Sequence, residues 1–451
     1  MRKIITPIVI IFMTITFFNS CHKLDDIIWD GDGGHNHWVS KPTKTYSSEV
    51  AFKWMDMQLH LMVTNPTPFG GTPTQRYFAY GAIALYESVV PGMPSYQSLS
   101  GQFNDFPAMP QTLDDYEYSW PICANSALAA MTRSFFTAAT DVNKVKMDSL
   151  ENALNDWYKM QTDTGTFNRS VKFGKAVAEW VFNWAKNDGS ANANAAYTPP
   201  VGPGLWEPTP PAFAAAAVPY WGKNRLMVAT SLDGIDLEAP PVYSEDPNSD
   251  YYKMMKEVYD ASLTLTEEQK AVAIFYGGKP GFQGYGGGGY LSSVKTVLVQ
   301  ENPKLDITAY VFAKASIAMN DAGVGVYKIK YQYNQQRPVT YIREVLGDTL
   351  WTSFIPTPPF PDFPSAHASH SGAFAEIMEG FFGTDYHFTD HSYDFQDQAP
   401  RTYTSFEDMV QDINDARFYG GIHSRISNNA GADLGRKVAQ NIENKLKFKK
   451  W

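Results

Sequence analysis

The stretch "FPDFPSAHASHSGAF", Phe360 to Phe374, crowds prolines, hydroxyls, imidazoles and small residues together. Pro364 suits the first turn of a helix, where its missing N–H costs nothing. The amides that follow, at Ser365, Ala366 and His367, then lack intrahelical partners, and the helix dipole favours an anion in front of them. Ser365 adds a hydroxyl, and His367 adds a group that exchanges a proton near neutral pH. An ordinary capped helix with its histidine packed in a bundle explains the same letters, so this stretch alone leaves both readings open.

Two flanking segments bear on the choice. In "KYQYNQQRP", Lys330 and Arg337 are seven positions apart. On a continuous helix that spacing puts both cations on one side, about two turns apart. Pro338 ends or kinks the helix there. In "ARFYGGIHSRIS", His423 follows Arg417 by six. An unbroken helix would point them to different faces, but Gly420 and Gly421 permit a break that turns both toward one point. Taken together, three cations, a helix start with free amides, a serine and two histidines form a set able to hold a tetrahedral oxyanion. The cations neutralise it, the amides and hydroxyl orient it, one histidine attacks or ligates, and the other moves protons.

Outward from these segments the pattern is helical. Leu305, Ala309, Phe312 and Met319 form one apolar stripe, and Leu434, Val438, Ile442 and Leu446 another. "YGAIALYESVV", "NSALAAMTRSFFTAA" and "RSVKFGKAVAEWVFNWAK" keep helical spacing, and no segment alternates for long. "YTPPVGPGLWEPTPPAFAAAAVPYWG" is too rich in proline and glycine to be an element. "GGKPGFQGYGGGGY" is a second loop and lacks the ending of a phosphate-binding loop. The fold class is therefore all-α, helical bundles joined by long Pro/Gly-rich loops. The 451 residues are 44% hydrophobic, enough for a large core, and the net charge of −10 argues against a nucleic-acid partner.

The N-terminus reads as a processing signal. Arg2 and Lys3 precede an apolar run, and "FNSC" ends at Cys21. Residues 1–20 are expected to be a lipoprotein signal peptide and Cys21 the lipidated mature N-terminus. Residues 21–45 form a polar, Gly-rich tether in which His35 and His37 are solvated. Residues 46–451 are the helical domain, with N-terminal helices over 46–200 and the site-bearing bundle over about 260–451. The protein is expected to be exported and lipid-anchored to a bacterial outer membrane, and Asp25 and Asp26 beside the lipid site point to the cell surface. Cys123, the one remaining cysteine, is expected to be a buried small hydrophobe.

Lys-x6-Arg-Pro, Pro-Ser-x-His and Arg-x5-His, in this order, resemble the signature shared by vanadium-dependent haloperoxidases and type 2 phosphatidic acid phosphatases. "NDAGVGVYKIKYQYNQQRPVTYIR", "PTPPFPDFPSAHASHSGAF" and "GPGLWEPTPPA" are similar to the haloperoxidase branch, and the resemblance spans roughly residues 75–446. It implies vanadate as cofactor, with His423 bonded to vanadium. Lys330, Arg337, Arg417, Ser365 and the Ala366 amide would bind the vanadate oxygens. His367 would serve as acid–base residue for hydrogen peroxide, and Phe360 would lie beside the halide site. The same cradle suits a phosphate ester, with His423 as a nucleophile forming a phosphohistidine. A lipoprotein that keeps the fold but only binds an oxyanion or a partner is the third reading.

Three departures bear on these readings. Ala366 replaces the family's glycine and Ala416 a frequent serine. Ser427 stands where phosphatases usually place an aspartate that orients the histidine, which argues against an efficient phosphatase. His370, and the pair His387 and His391 in "HFTDH", lack a third ligand at metal-site spacing and are expected to be core or surface histidines. No serine sits in a Gly-x-Ser-x-Gly elbow.

Overall fold

The computed structural model describes residues 40–65, 72–279, 285 and 289–450. Cys21, the signal segment, His35 and His37 lie outside them. Within the described residues the chain forms thirteen α-helices and one short ribbon. The first five are α1 (Glu49–Thr64), α2 (Thr72–Val89), α3 (Trp120–Phe135), α4 (Asp141–Lys159) and α5 (Thr164–Ala185). Side chains satisfy the free amides at several starts: Thr140 caps α4 through Asn143 N–H, and Asp163 caps α5 through Gly165 and Thr166 N–H. After a long irregular stretch come α6 (Asp250–Ser262), α7 (Glu267–Gly277), α8 (Gly289–Glu301), α9 (Leu305–Tyr333) and α10 (Pro338–Glu344). The chain closes with α11 (Ala366–Phe382), β1 (Phe388–Asp390), β2 (Arg401–Tyr403), α12 (Phe406–Tyr419) and α13 (Arg425–Lys445). No described helix is long and apolar enough to cross a membrane.

Both apolar stripes are buried. Leu305, Ala309, Phe312 and Met319 of α9 face the core, as do Leu434, Val438 and Ile442 of α13 with Leu446 after it. Helix α9 packs on α11, α13 and also α2, so the N-terminal helices and the C-terminal bundle share one core. Cys123 is buried and free. The proline-rich loop carries only single turns, as its composition requires, and polar contacts tie it to α9. The buried Asp321 carboxylate accepts Met227 N–H at 2.9 Å, Val228 N–H at 3.0 Å and the Ser231 hydroxyl at 2.8 Å, which offsets its desolvation.

The sequence reading contained no strand, but β1 and β2 pair antiparallel, Phe388 opposite Tyr403. Each is three residues long, too short for alternation to register.

Helices α11 and α13 touch backbone to backbone. A Cβ on Gly435 would lie 1.9 Å from the Ser369 carbonyl oxygen, and one on Gly431 would lie 2.3 Å from that of Ser365. Ala at position 435 must therefore push the helices apart. Gly435→Ala is expected to cost about 1–3 kcal/mol or more in urea unfolding. It should also weaken oxyanion binding, because Ser365 lies on the same seam. An unchanged unfolding midpoint would show that the seam yields.

Candidate active site

Lys330 lies near the end of α9 and is fully buried. The helix does not continue to Arg337. Asn334 takes a left-handed conformation (φ 48°) that closes α9, and Arg337 becomes the N-cap of α10. The expected shared helical face is thus corrected: the two cations meet because the chain turns between them. Both lie against Phe360, with Lys330 Nζ 5.2 Å and Arg337 Cζ 4.9 Å from its ring centre. Lys330 Nζ donates to the carbonyls of Pro361 (2.8 Å) and Asp362 (2.7 Å). Arg337 donates from Nε to the Phe360 carbonyl (2.7 Å) and from Nη1 to that of Ile422 (2.8 Å).

The start of α11 also differs from expectation in detail. Pro364 precedes the helix, and Ser365 is the N-cap. The Ser365 N–H is not free, since it donates to the Ser427 carbonyl at 2.9 Å. The free amides begin at Ala366, the first helical residue. Position 366 is not among the residues of positive φ, so alanine carries no backbone penalty where the family has glycine. His367 follows, half-buried, and its carbonyl accepts the Tyr290 hydroxyl at 2.7 Å.

Helix α12 ends at Tyr419, and Gly421 takes φ +75° in the turn that presents His423. Arg417 stays on the helix, with Nη1 donating to the Tyr276 carbonyl at 3.2 Å. The His423 ring is held at both nitrogens. Nε2 faces Arg337 Nη1 at 3.2 Å. Nδ1 pairs with Asp362 Oδ1 and lies 3.1 Å from the Ser427 hydroxyl. Arg337 can only donate, so Nε2 carries a lone pair and the ring proton sits on Nδ1.

Asp362 is the residue the sequence reading missed. Ser427 was expected to replace the orienting carboxylate and to do so weakly. The carboxylate instead comes from Asp362, and Ser427 also donates to the Asp362 carbonyl at 3.2 Å. A lone acid in the apolar run "PPFPDFP" was the available signal.

These groups feel one another. Burial first, then the charges of Arg337, Lys330, Arg417 and His367, holds the His423 imidazolium well below the usual range, so the ring is neutral. His367 is depressed by burial and by Arg417, His370, Lys330 and Arg337. Burial lowers Arg337 and Arg417 to about 10 and depresses Lys330. Burial raises Asp362 to about 6 against the pull of Arg337 and Lys330. Lys330 and Arg337 act on the one carboxylate, and Arg417 acts on Lys330 and both histidines, leaving a surplus of positive charge. Arg337 Nη2, Ser365 Oγ and Arg417 Nε are buried donors without a partner, and Asp362 Oδ2 is a buried acceptor without one.

Of the other histidines singled out, His370 acts on His367, and His387 and His391 lie elsewhere. His370 is buried against Gly323, and burial lowers it to about 4. His387 and His391 are exposed in a groove of about 750 Å³ that contains none of the cradle residues. No group of three or more metal-ligating side chains occurs among the described residues.

Residues 310–449 match the family model of the VCPO second helical-bundle domain. A bacterial vanadium-dependent iodoperoxidase of known structure superimposes with a TM-score of 0.81 and 28% identity, over 90% of this chain and 98% of that one. The resemblance to the vanadium haloperoxidase superfamily is thus supported, by the family model over residues 310–449 and by the fold over most of the chain. A bacterial vanadium-dependent chloroperoxidase in its holo form shares the fold, with a TM-score of 0.64 and 15% identity over 84% of this chain and 93% of that one. The vanadium chloroperoxidase of Curvularia inaequalis is 32% identical over 88 residues. That match covers 16% of this chain and 14% of the fungal protein.

Proposed function

We propose that the protein oxidises halide with hydrogen peroxide on a vanadate held in this cradle. One observation carries the reading: three buried donors, Arg337 Nη2, Ser365 Oγ and Arg417 Nε, lack partners in a cluster rich in positive charge. A buried unsatisfied donor costs about 1–3 kcal/mol, and a tetrahedral oxyanion satisfies all three. Lys330, Arg337 and Arg417 neutralise its charge, while Ser365 and the Ala366 amide orient it. The Nε2 lone pair of His423 is the ligand. Bound vanadate supplies a Lewis-acid centre at which peroxide becomes an oxidant for halide. His367 takes the proton that peroxide gives up, and Phe360 walls the halide side. Because a similar protein is an iodoperoxidase, iodide is the halide to try first.

Phosphate-ester hydrolysis is the second reading, and Asp362 favours it. A carboxylate on Nδ1 makes Nε2 a better nucleophile, which removes the argument drawn from Ser427. The test uses one preparation stripped of oxyanions. Vanadate is expected to switch on peroxide-dependent iodide oxidation, with phosphate competing. At a hundred times its dissociation constant, vanadate should stabilise the fold by about 2.7 kcal/mol in a thermal melt. Hydrolysis of a phosphate monoester without halide oxidation would favour the second reading. A melt indifferent to both anions would sink the cradle.

A further inference from the structure

A small cavity of about 20 Å³ has His367 in its wall, room for one water-sized molecule. Tyr276, Tyr290, Ser293, Asp390, Ser392 and Tyr393 supply polar lining. Two of these groups lead nowhere. The Tyr290 hydroxyl is committed to the His367 carbonyl. Asp390 accepts Ser392 N–H at 2.8 Å and the hydroxyls of Ser392 and Ser293, all of them buried.

Tyr276 is different. Its hydroxyl lies 2.5 Å from that of Tyr403, which donates to Asp412 Oδ2 at 2.9 Å. An ionised carboxylate only accepts, so the Tyr403 hydrogen points at Asp412. The Tyr403 oxygen is then free to accept from Tyr276, and the Tyr276 oxygen to accept from the cavity. Asp412 is gripped by Arg401, Nε at 2.5 Å and Nη2 at 3.1 Å, and its side chain is 17% exposed. Beyond Arg401 lies Glu268, 72% exposed. The Tyr276 and Tyr403 hydroxyls thus both point away from the cavity, toward Asp412.

We propose that Tyr276, Tyr403 and Asp412 form a proton path between His367 and solvent, with one water in the cavity as first carrier. The inference rests on His367 being the acid–base group. Once an oxyanion and its substrate fill the cradle side of His367, this is the route left to its proton. Charged His367 gives its N–H proton to the cavity water, and the water passes one of its own to Tyr276. The Tyr276 hydrogen moves to Tyr403, and the Tyr403 hydrogen to Asp412, which releases it to solvent. Each O–H bond broken is replaced by one formed, so both tyrosines end neutral and only a proton has crossed. Burial, with nearby Asp412 and Asp390, holds both phenols well above their usual range, which keeps them neutral carriers.

The experiment compares full-length wild type, Tyr403→Phe and Asp412→Asn in dilute and in concentrated imidazole buffer. None of these side chains touches the cradle, so vanadate affinity and KM should hold. In dilute buffer kcat should fall by up to about a hundredfold, the lower end of what a proton-transfer group contributes. Concentrated imidazole should restore Asp412→Asn, where a diffusible base can take the proton at the solvent end of the path, and leave Tyr403→Phe impaired, since its break is buried. Variants that match wild type in dilute buffer would overturn the path, and so would a loss in Asp412→Asn that no buffer concentration repairs. If Tyr403→Phe melts early, Asp412→Asn decides. A wild type inert toward both halide and phosphate ester would overturn the reading of His367 and the path with it. An active wild type matched by both variants would overturn the path alone.

Discussion

His423→Ala is expected to lose both vanadate binding and turnover, whereas His367→Ala should keep much of its affinity and lose turnover. The two histidines are built for different work. The His423 ring is locked: Nδ1 is tied to Asp362 and Ser427, and Nε2 sits 3.2 Å from Arg337 with its lone pair inward. Removing it leaves the cations holding an anion with no direct bond to the protein. His367 has its carbonyl fixed by Tyr290 and sits beside a water-sized cavity, an arrangement for moving protons. A general acid–base group typically contributes about 10²–10⁴-fold in rate, and that is the loss expected in kcat for His367→Ala. Calorimetric titration of vanadate into both variants checks the split. Equal loss of affinity in both, or loss in neither, would show the roles to be misassigned.

Asp362→Asn should cost about 10–100-fold in vanadate affinity, the usual effect of losing the partner that orients a ligating histidine. The substitution removes a negative charge that faces Lys330 and Arg337. It also presents an amide that can donate to Nδ1, which would move the ring proton to Nε2 and block the lone pair. Ser427→Ala should do much less, since the carboxylate still holds the ring. If the two variants lose equally, the hydroxyl rather than the carboxylate orients His423. Histidine NMR adds a readout that a merely structural role would not move: the Nε2 signal should change from unprotonated to protonated in Asp362→Asn alone.

Much of the fold could be read from the chain because helix periodicity is local. The stripes at 305–319 and 434–446 became α9 and α13, and the proline-rich stretch stayed irregular. The break at Asn334 could not be read, because asparagine tolerates a left-handed turn without interrupting the apolar pattern around it. The three motifs named Lys330, Arg337, Arg417, His367 and His423, whose charges act on one another, though Lys330 and Arg337 come from two helices rather than one. Asp362 escaped notice because its partner lies 61 residues away, and no spacing rule joins such a pair. The Tyr276–Tyr403 contact, across 127 residues and a ribbon too short to anticipate, was hidden for the same reason.

The carbonyls of Phe360, Pro361, Asp362 and Ile422 already engage Lys330 and Arg337. Each of these cations therefore has protein partners from the moment the chain closes. An oxyanion bound there would meet cations that already hold backbone oxygens and would compete with those oxygens for part of the positive charge. Loading is then a reversible exchange governed by mass action. On that reading, which of vanadate and phosphate would occupy the cradle depends on which one the surroundings supply in excess of its dissociation constant.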